Sequence, residues 1–114
     1  MARVRAGQLN RRITLERSST VRDESGGFTT HWECYMRCMA RIQPVRGAER
    51  FEAQQVHPEV THTIRIRWTR TRPSPQDRVL FEDRVFNVES VIDVDEARVV
   101  YELACKELVG VESN

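Results

Sequence analysis

The segment from Trp32 to Pro44, WECYMRCMARIQP, constrains the fold more than any other part of the chain. Its even-numbered positions are apolar or small, and charged or polar side chains stand between several of them. A period of two puts alternate side chains on opposite faces of a strand, so we predict a long strand with one face against a core. The predicted core-facing residues are Cys34, Met36, Cys38, Ala40 and Ile42. Pro44 cannot donate a hydrogen bond to a sheet, which predicts the end of the strand there.

Shorter segments with the same alternation predict the other strands. Residues 11–17 form a first strand, and the polar residues 18–27 after it predict a mobile loop or a long hairpin turn. Later strands are predicted at 61–70, 78–81, 84–91 and 98–108, with a turn at Glu82-Asp83. Five or six short strands separated by turn signals are typical of a small barrel or sandwich, so the sequence predicts a mainly β protein.

One segment has a different period. Residues 47–56, with Phe51 as the anchor of a narrow apolar stripe, predict a short helix in the connection after the long strand. The 114 residues suffice for one domain. Within it we expect residues 1–10 to be a flexible N-terminal arm and residues 109–114 a frayed tail.

The composition excludes several classes of protein. Charged residues make up 31% and hydrophobic residues 39%, and no apolar run approaches the length of about 18 that a membrane span needs. The N-terminal residues lack the apolar centre of a signal peptide, so we expect a protein of the cytoplasm or one assembled there.

The charge is uneven along the chain: residues 1–76 carry a net +7 and residues 77–114 a net −6. Such a chain suits head-to-tail association, although folding could also intermix the two sets of charges.

The sequence offers no catalytic, metal or cofactor site. Three cysteines without an export signal predict reduced thiols. Cys34 and Cys38 on one strand lie about 13 Å apart, too far to share a zinc ion, and would converge with His31 only on a helix. Phosphate-binding glycine loops and nucleophile motifs are absent, and a solvated turn explains the acidic pair Asp93 and Asp95 better than a cation site. We therefore expect no enzymatic activity.

Arginines on the strand at 61–70 form the feature that could contact nucleic acid. Arg65 and Arg67 project from the same face, and Arg70 and Arg72 follow them. Trp68 falls on the opposite face, so this row lacks the interleaved aromatic rings of a single-strand reader. Two interpretations stay open: an interface with other subunits or partners, or a small nucleic-acid-binding β-barrel. The predicted interface residues are Arg3, Arg5, Arg65, Arg67, Arg70, Arg72, Asp93, Asp95 and Glu96.

The order of short motifs along residues 6–107 resembles the head-tail joining proteins of long-tailed bacteriophages and prophages. The first half contributes Ala6-Gly7, Leu9, Arg12-Ile13, Asp23, Gly26-Gly27, Trp32, Ala40, Ile42 and Pro44. The second half contributes Gly47, Glu49, Ala53, Thr61-His62, Ile64 to Arg67, Arg78-Val79, Phe86 to Val88 and Leu103. Each motif is short, and the specificity comes from their order and spacing. The chain departs from the family pattern at Met39, where an aromatic residue is common, and at the Glu82-Asp83-Arg84 turn, which lacks a glycine.

The resemblance implies a non-enzymatic protein of the virion neck, either an adaptor on the portal or a stopper below it. Such proteins form a ring of about twelve copies between portal and tail, and are often monomers in isolation. They contact the portal or adaptor protein, the tail terminator or other tail proteins, and the packaged DNA. In relatives the connection after the long strand points into the channel. On this chain that connection is 43–60, and its DNA-facing candidates are Arg46, Arg50, Gln54 and Gln55.

Overall fold

The protein is described by a computed structural model at residues 8–45 and 59–110. Within these ranges six antiparallel strands form one sheet. They are β1 (Arg11–Arg22), β2 (Phe28–Pro44), β3 (His62–Arg67), β4 (Arg78–Phe81), β5 (Arg84–Asp93) and β6 (Val100–Leu108). The spatial order is β1-β2-β3-β6-β5-β4, and β1 pairs with β4 through Thr14–Leu80 to Glu16–Arg78, so the sheet closes on itself. The prediction of a mainly β fold is confirmed.

The core fills the inside of this closed sheet. Every strand contributes to it, since alternate side chains point inward and leave their neighbours outside. The buried cluster consists of Ile13, Leu15, Ala40, Ile64, Ile66, Val79, Phe86, Val88, Tyr101, Leu103 and Cys105. Trp68 packs against this cluster and stacks on Tyr101 with 6.3 Å between ring centroids. Trp68 thus contacts the core, as the alternation of the sequence predicts.

The long strand β2 spans 17 residues, but one part of its predicted face is wrong. Ala40 is buried, and Met36, Cys38 and Ile42 pack against the core, whereas Cys34 is exposed. The cause is a β-bulge: Leu15 pairs with Met36 while Glu16 pairs with Cys34, so Tyr35 is an extra residue on β2. A bulge reverses the alternation beyond it, which turns Cys34 outward.

A second bulge has the same effect on β5. Val88 pairs with Cys105 and Ser90 with Ala104, so Glu89 is the extra residue. Phe86 and Val88 therefore face the core before the bulge, and Val91 packs against the core after it.

Several strand boundaries also differ from the predictions. β1 continues through the polar residues 18–22, which the sequence assigned to a loop or a long turn. β3 ends at Arg67 and not at residue 70, and β6 begins at Val100 and not at residue 98. A short 3₁₀ turn, Val94–Glu96, connects β5 to β6.

The predicted helix at 47–56 lies outside the described residues. No helix in the described part of the chain is long and apolar enough to cross a membrane.

Antiparallel connectivity gives the closed sheet two different ends. One end carries the turn between β1 and β2, the loop 68–77 and the loop 94–99. The opposite end carries the start of β1, the connection from β2 to β3, the β4–β5 turn and the end of β6. β1 and β2 extend beyond the first end, and the chain measures 52 × 29 × 26 Å along its principal axes.

Candidate interaction surfaces

The first surface is the projecting part of β1 and β2, residues 18–32, which we call the hairpin arm. Its pairs run from Ser18–Trp32 to Arg22–Phe28. Both strand edges are open within the described residues, because β4 pairs with β1 only as far as Glu16 and β3 pairs with β2 only from Ala40 onward. Residues 18–31 are all exposed. An isolated two-stranded ribbon is marginally stable in water, so something must hold this arm in place.

The turn at the tip of the arm is built around one carboxylate. Asp23 Oδ1 accepts hydrogen bonds from the Ser25 and Gly27 backbone amides at 3.0 and 2.8 Å and from the Ser25 hydroxyl at 2.9 Å. The Ser25 hydroxyl and then the Gly27 amide hold the pKa of Asp23 below its usual value. Gly26 has φ of 87°, a conformation that favours glycine. The arm therefore ends in an ordered turn.

On its inner face the base of the arm is fixed by Asp77, which is 2% exposed. Arg17 donates to both Asp77 carboxylate oxygens at 3.1 Å, and Tyr35 donates from its hydroxyl to Oδ2 at 2.5 Å. The backbone amide of Ser74 donates to the same oxygen at 2.9 Å. The Arg17 guanidinium also lies 4.3 Å from the centroid of the Tyr35 ring. Burial and the Asp77 carboxylate raise the pKa of Tyr35, and Asp77 raises that of Arg17.

On its outer face a second arginine, Arg78 of β4, makes the same kind of contact. Its Nε donates to Glu16 Oε1 at 2.6 Å, and its guanidinium lies 4.3 Å from the centroid of a Trp32 ring. The side chains of Arg78 and Glu16 are 10% and 14% exposed. Each face of the arm's base thus has one arginine, one carboxylate and one aromatic ring from β2. Because these contacts lie on both faces, they fix the direction in which the arm leaves the sheet.

Beyond these contacts the arm exposes large apolar side chains. Phe28 is 72% exposed and Val21 is 49% exposed, on opposite faces of the ribbon. Residues 28–32, FTTHW, are β-branched or aromatic apart from His31, and none is an acid, a lysine or a proline. Natural proteins usually protect open strand edges with charges, prolines or a covering element. This part of the arm has the properties of a contact surface.

The second surface is the outer face of β1, β2 and β3 around Met39, which we call the arginine face. Its arginines alternate with the buried residues of their strands, so they point outward. They are Arg12, Arg37, Arg41, Arg65 and Arg67. Met39 lies between them and is 41% exposed.

The predicted arginine row is only partly confirmed. Arg65 and Arg67 share the outer face of β3, but Arg65 is paired with Glu102 at 2.7 Å. Arg70 and Arg72 lie in the loop after β3, and Arg72 donates to the Val91 carbonyl at 3.2 Å. The arginines of β1 and β2 on this face were not among the predicted interface residues. The alternation of β2 predicts that Arg37 and Arg41 point outward. Arg12 lies beside Met39 only because of the register between β1 and β2, which the sequence does not display.

The third surface consists of the last two residues of β5 and the connection to β6, residues 92–99, which we call the acidic loop. Three of its residues have positive φ: Asp95 (57°), Glu96 (52°) and Arg98 (56°). Asp93 Oδ1 accepts a hydrogen bond from the Arg98 amide at 3.1 Å. The predicted interface residues Asp93, Asp95 and Glu96 are therefore brought together. The exposed apolar residues Ile92 (53%) and Val99 (36%) flank them.

At the opposite end of the sheet, the connection after β2 starts and finishes at one place. The Val45 amide donates to the Thr61 carbonyl at 3.0 Å, and the Thr61 amide donates to the Cys105 carbonyl at 2.9 Å. Next to it, Arg84 donates to both carboxylate oxygens of Glu107 at 2.8 and 3.0 Å. The channel candidates Arg46, Arg50, Gln54 and Gln55, and the arm residues Arg3 and Arg5, lie outside the described residues.

Reactive groups are sparse in the described ranges. No cluster of three or more His, Cys, Asp or Glu residues that could hold a metal occurs in residues 8–45 and 59–110. The cysteines are free: Cys34 is exposed, Cys38 half-buried and Cys105 buried. Burial raises the pKa of Cys38 to about 11 and raises that of Cys105 as well, so these two thiols are poor nucleophiles.

Two solved structures share this fold. The solution structure of protein SF1141 from Shigella flexneri 2a is similar with a TM-score of 0.71 and 24% identity, covering 95% of this chain and 100% of that one. A chain in the virion of a native gene transfer agent particle is similar with a TM-score of 0.64 and 25% identity, again covering 95% and 100%. The comparison with curated proteins found no match. Residues 4–108 match the family described as phage head completion protein, which is a family of structural proteins and not of enzymes. With a match over nearly its whole length, this chain belongs to the phage head completion protein family.

Proposed function

We propose that this protein forms a ring in the neck of a virion, between the portal or adaptor protein and the tail. There it closes the DNA-filled head and provides the surface on which the tail docks. Membership of the phage head completion family and the similarity to a chain of a gene transfer agent virion support a structural role in a particle. The ring has about twelve copies, in keeping with the closed symmetry of most homo-oligomers. Assembly takes place in the host cytoplasm, without a membrane or a cofactor.

The observation that carries this proposal is the hairpin arm. Two sets of contacts, Arg17 with Asp77 and Arg78 with Glu16, fix its base. Beyond them the ribbon exposes Phe28 and two open edges and makes no contact with the rest of the described chain that would bury it. A structure of this kind gains its stability from a partner, because apolar side chains and strand edges are otherwise exposed to water. A rigid base also lowers the entropy lost when the arm binds.

The two ends of the sheet suit a protein that lies between two different neighbours. The hairpin arm leaves from one end, and the connection after β2 leaves from the other. We assign the arm to contact with the adjacent ring of the neck, and the connection 43–60 to the channel. The hydrogen bond between Val45 and Thr61 supports this assignment, because it holds the two stems of the connection together.

The composition of the connection fits a segment that meets DNA without binding it tightly. Arg46 and Arg50 are offset by three glutamates in the same segment. Phosphate contacts depend on net positive charge, so this segment would touch the DNA end and still allow release. Gln54 and Gln55 would add neutral polar contacts in the channel.

The test is to remove the apolar contacts of the arm in the phage or prophage that carries the gene. We expect the double variant Val21→Ser, Phe28→Ser to fold normally and to produce DNA-filled heads that lack tails, counted by electron microscopy. The matched control Thr20→Ser, Thr30→Ser changes the same ribbon without removing a large apolar side chain. Normal numbers of tailed particles with the first variant would contradict the role of the arm. If deletion of the whole gene also left tailed particles, the proposed function itself would be wrong.

A second candidate function, binding of nucleic acid, is favoured by one observation, the arginine face. Phosphate binding needs only positioned arginines, and this face has five. However, its centre is Met39 and not a set of aromatic rings on which bases stack. Titration with a labelled single-stranded oligonucleotide at low and high salt separates the two functions. We expect no saturable binding at physiological salt.

A further inference from the structure

The arginine face is an unusual concentration of like charge. Arg37, Met39 and Arg41 lie along β2 at spacings of about 7 Å, and Arg12 is directly opposite Met39 on β1. Arg67 follows the last paired residue of β3 on the other side, and it lines a cavity together with Met39. Four guanidinium groups therefore surround one exposed apolar side chain.

These four charges have no partner within the described part of the chain. The fifth arginine of the face, Arg65, is paired with Glu102. For Arg12, Arg37, Arg41 and Arg67 no carboxylate of the described residues lies within ion-pair distance. Like charges on neighbouring strands repel each other. The isolated protein bears this repulsion, and an acidic partner would relieve it.

The centre of the face has the shape of a contact site. A cavity of about 310 Å³ lies on one side of Met39 and is lined by Arg12, Arg37 and Cys38. A cavity of about 300 Å³ lies on the other side and is lined by Leu9, Cys38, Arg67 and Thr69. Methionine adapts its shape to the surface that covers it. An apolar centre with a charged rim is the common anatomy of a protein interface.

The acidic loop of the same chain is complementary to this face. It combines the exposed apolar residues Ile92 and Val99 with the carboxylates of Asp95 and Glu96. In the order β1-β2-β3-β6-β5-β4, β2 lies opposite β5, so Met39 and Ile92 are on opposite sides of the closed sheet. The edges of the two surfaces approach each other at the first end of the sheet, where Arg67 pairs with Val100 and the Trp68 amide donates to the Val99 carbonyl.

Surfaces on opposite sides set the kind of assembly that can form. A contact between two different surfaces is heterologous and closes into a ring when the rotation between copies allows it. In a ring of about twelve copies that rotation is about 30°, so the two contact surfaces of each copy must lie on nearly opposite sides. A dimer or trimer would need them close together.

From the unpaired charges, the apolar centre and the opposite acidic loop, we infer that the arginine face of one copy packs against the acidic loop of the next. This rests on the proposed ring and identifies the contact within it. The apolar centre favours a protein partner over DNA, because phosphate contacts have no use for an exposed methionine between the arginines.

The first experiment is a charge exchange, with assembly into particles as the measurement. We expect Arg12→Glu with Arg67→Glu, or Asp95→Lys with Glu96→Lys, to lower the number of copies per particle at least tenfold. The combination of all four substitutions restores the opposite charges and recovers assembly. The matched control, Arg11→Glu with Lys106→Glu, makes the same charge change at the opposite end of the sheet, outside both surfaces, and assembles normally. Circular dichroism establishes that each variant is folded.

The second experiment does not depend on charge variants. A bis-maleimide is added to particles that carry Met39→Cys and Ile92→Cys, which lie on opposite sides of one copy, in a Cys34→Ser, Cys38→Ser background. A ladder of trimers and larger species on a denaturing gel is the result expected for a head-to-tail ring. Products that stop at the dimer, or no cross-linked product, would overturn the inference.

These outcomes are separate from the test of the proposed function. If the arm variant loses tails while both charge variants assemble normally, the proposed neck function is retained. Only the contact between the arginine face and the acidic loop is then contradicted. If instead the Arg12→Glu, Arg67→Glu variant binds an oligonucleotide more weakly than the wild-type chain and assembles normally, the arginine face binds phosphate and not a second copy.

Discussion

β1 and β2 each belong to two regions with opposite properties. Up to Leu15 on β1, and from Met36 on β2, their side chains pack into the closed sheet. In the hairpin arm the same strands pair only with each other and are exposed on both faces. The closed sheet is stable because it buries apolar surface and has its strands paired, whereas the arm depends on its base and on a partner. The comparison teaches that one strand pair can provide both the core and the contact surface of a structural protein.

The largest effect is expected from a change inside the closed sheet. Ile66→Ala removes a fully buried side chain and leaves a cavity, so we expect a loss of about 2–5 kcal/mol in the free energy of unfolding. Urea denaturation monitored by circular dichroism measures it. A loss below about 1 kcal/mol would mean that β3 is not part of the core.

The next largest effect is expected at the base of the arm. Asp77→Ala leaves the donors of Arg17, Tyr35 and Ser74 without their acceptor, and we expect a loss of about 2–4 kcal/mol. Hydrogen exchange should accelerate in residues 18–32 more than in β5 and β6. Equal acceleration in all strands would show that Asp77 stabilises the whole sheet and not the arm in particular.

A smaller effect follows from pH at the other end of the sheet. Burial lowers the pKa of His62, and its Nε2 lies 3.3 Å from Arg84 Nη2, a contact that requires an unprotonated acceptor. The unfolded chain binds this proton more readily, so the unprotonated imidazole stabilises the folded state at neutral pH. The free energy of unfolding therefore falls as the pH drops below about 6.5. We expect the free energy of unfolding to be lower at pH 5 than at pH 7.

The variant His62→Asn should flatten that dependence, since it keeps a polar side chain and removes the titration. Thermal unfolding at several pH values provides the measurement. An unchanged pH profile in the variant would assign the dependence to other groups, such as Glu107, whose pKa is lowered by Arg84.

A still smaller effect is expected at the β4–β5 turn. Glu82 has φ of 54°, which glycine adopts more readily than other residues. Glu82→Gly should therefore leave the stability unchanged or raise it by up to about 1 kcal/mol. Thermal unfolding tests this, with Asp83→Gly as the neighbouring control. A clear loss in Glu82→Gly would mean that the glutamate side chain stabilises the turn.

The smallest effect on stability is expected at the tip of the arm, where the comparison is sharpest. Val21→Ser with Phe28→Ser changes exposed side chains, so the free energy of unfolding should stay within about 0.5 kcal/mol of the wild-type value. The same variant should lose tail joining. A stability loss like that of Ile66→Ala would place these side chains in a core.

Much of the fold could be predicted from alternation along the chain. The strand at Ile64 and Ile66, the hairpin on either side of Glu82-Asp83 and the end of β2 at Pro44 all follow from local pattern and turn residues. The bulge at Tyr35 could not be predicted, because a period of two gives no sign of where one residue is inserted. The sequence placed Asp93, Asp95 and Glu96 in one connection and Arg65 and Arg67 on one face of a strand, as the structure has them, and their role as an interface stays a prediction. The contacts of Asp77 with Arg17 and Tyr35 were missed, because they join residues far apart in the sequence.

By itself the sequence determined the six strand segments in outline, most of the side chains that avoid water and, through the order of its motifs, the resemblance to phage joining proteins. Those properties depend on neighbours one to four residues apart, which a sequence displays directly. The tertiary structure decided that β1 and β2 leave the closed sheet as an anchored arm, and that four arginines from three strands surround Met39. Both depend on strand register and on contacts across the sheet, which arise only when distant segments pair.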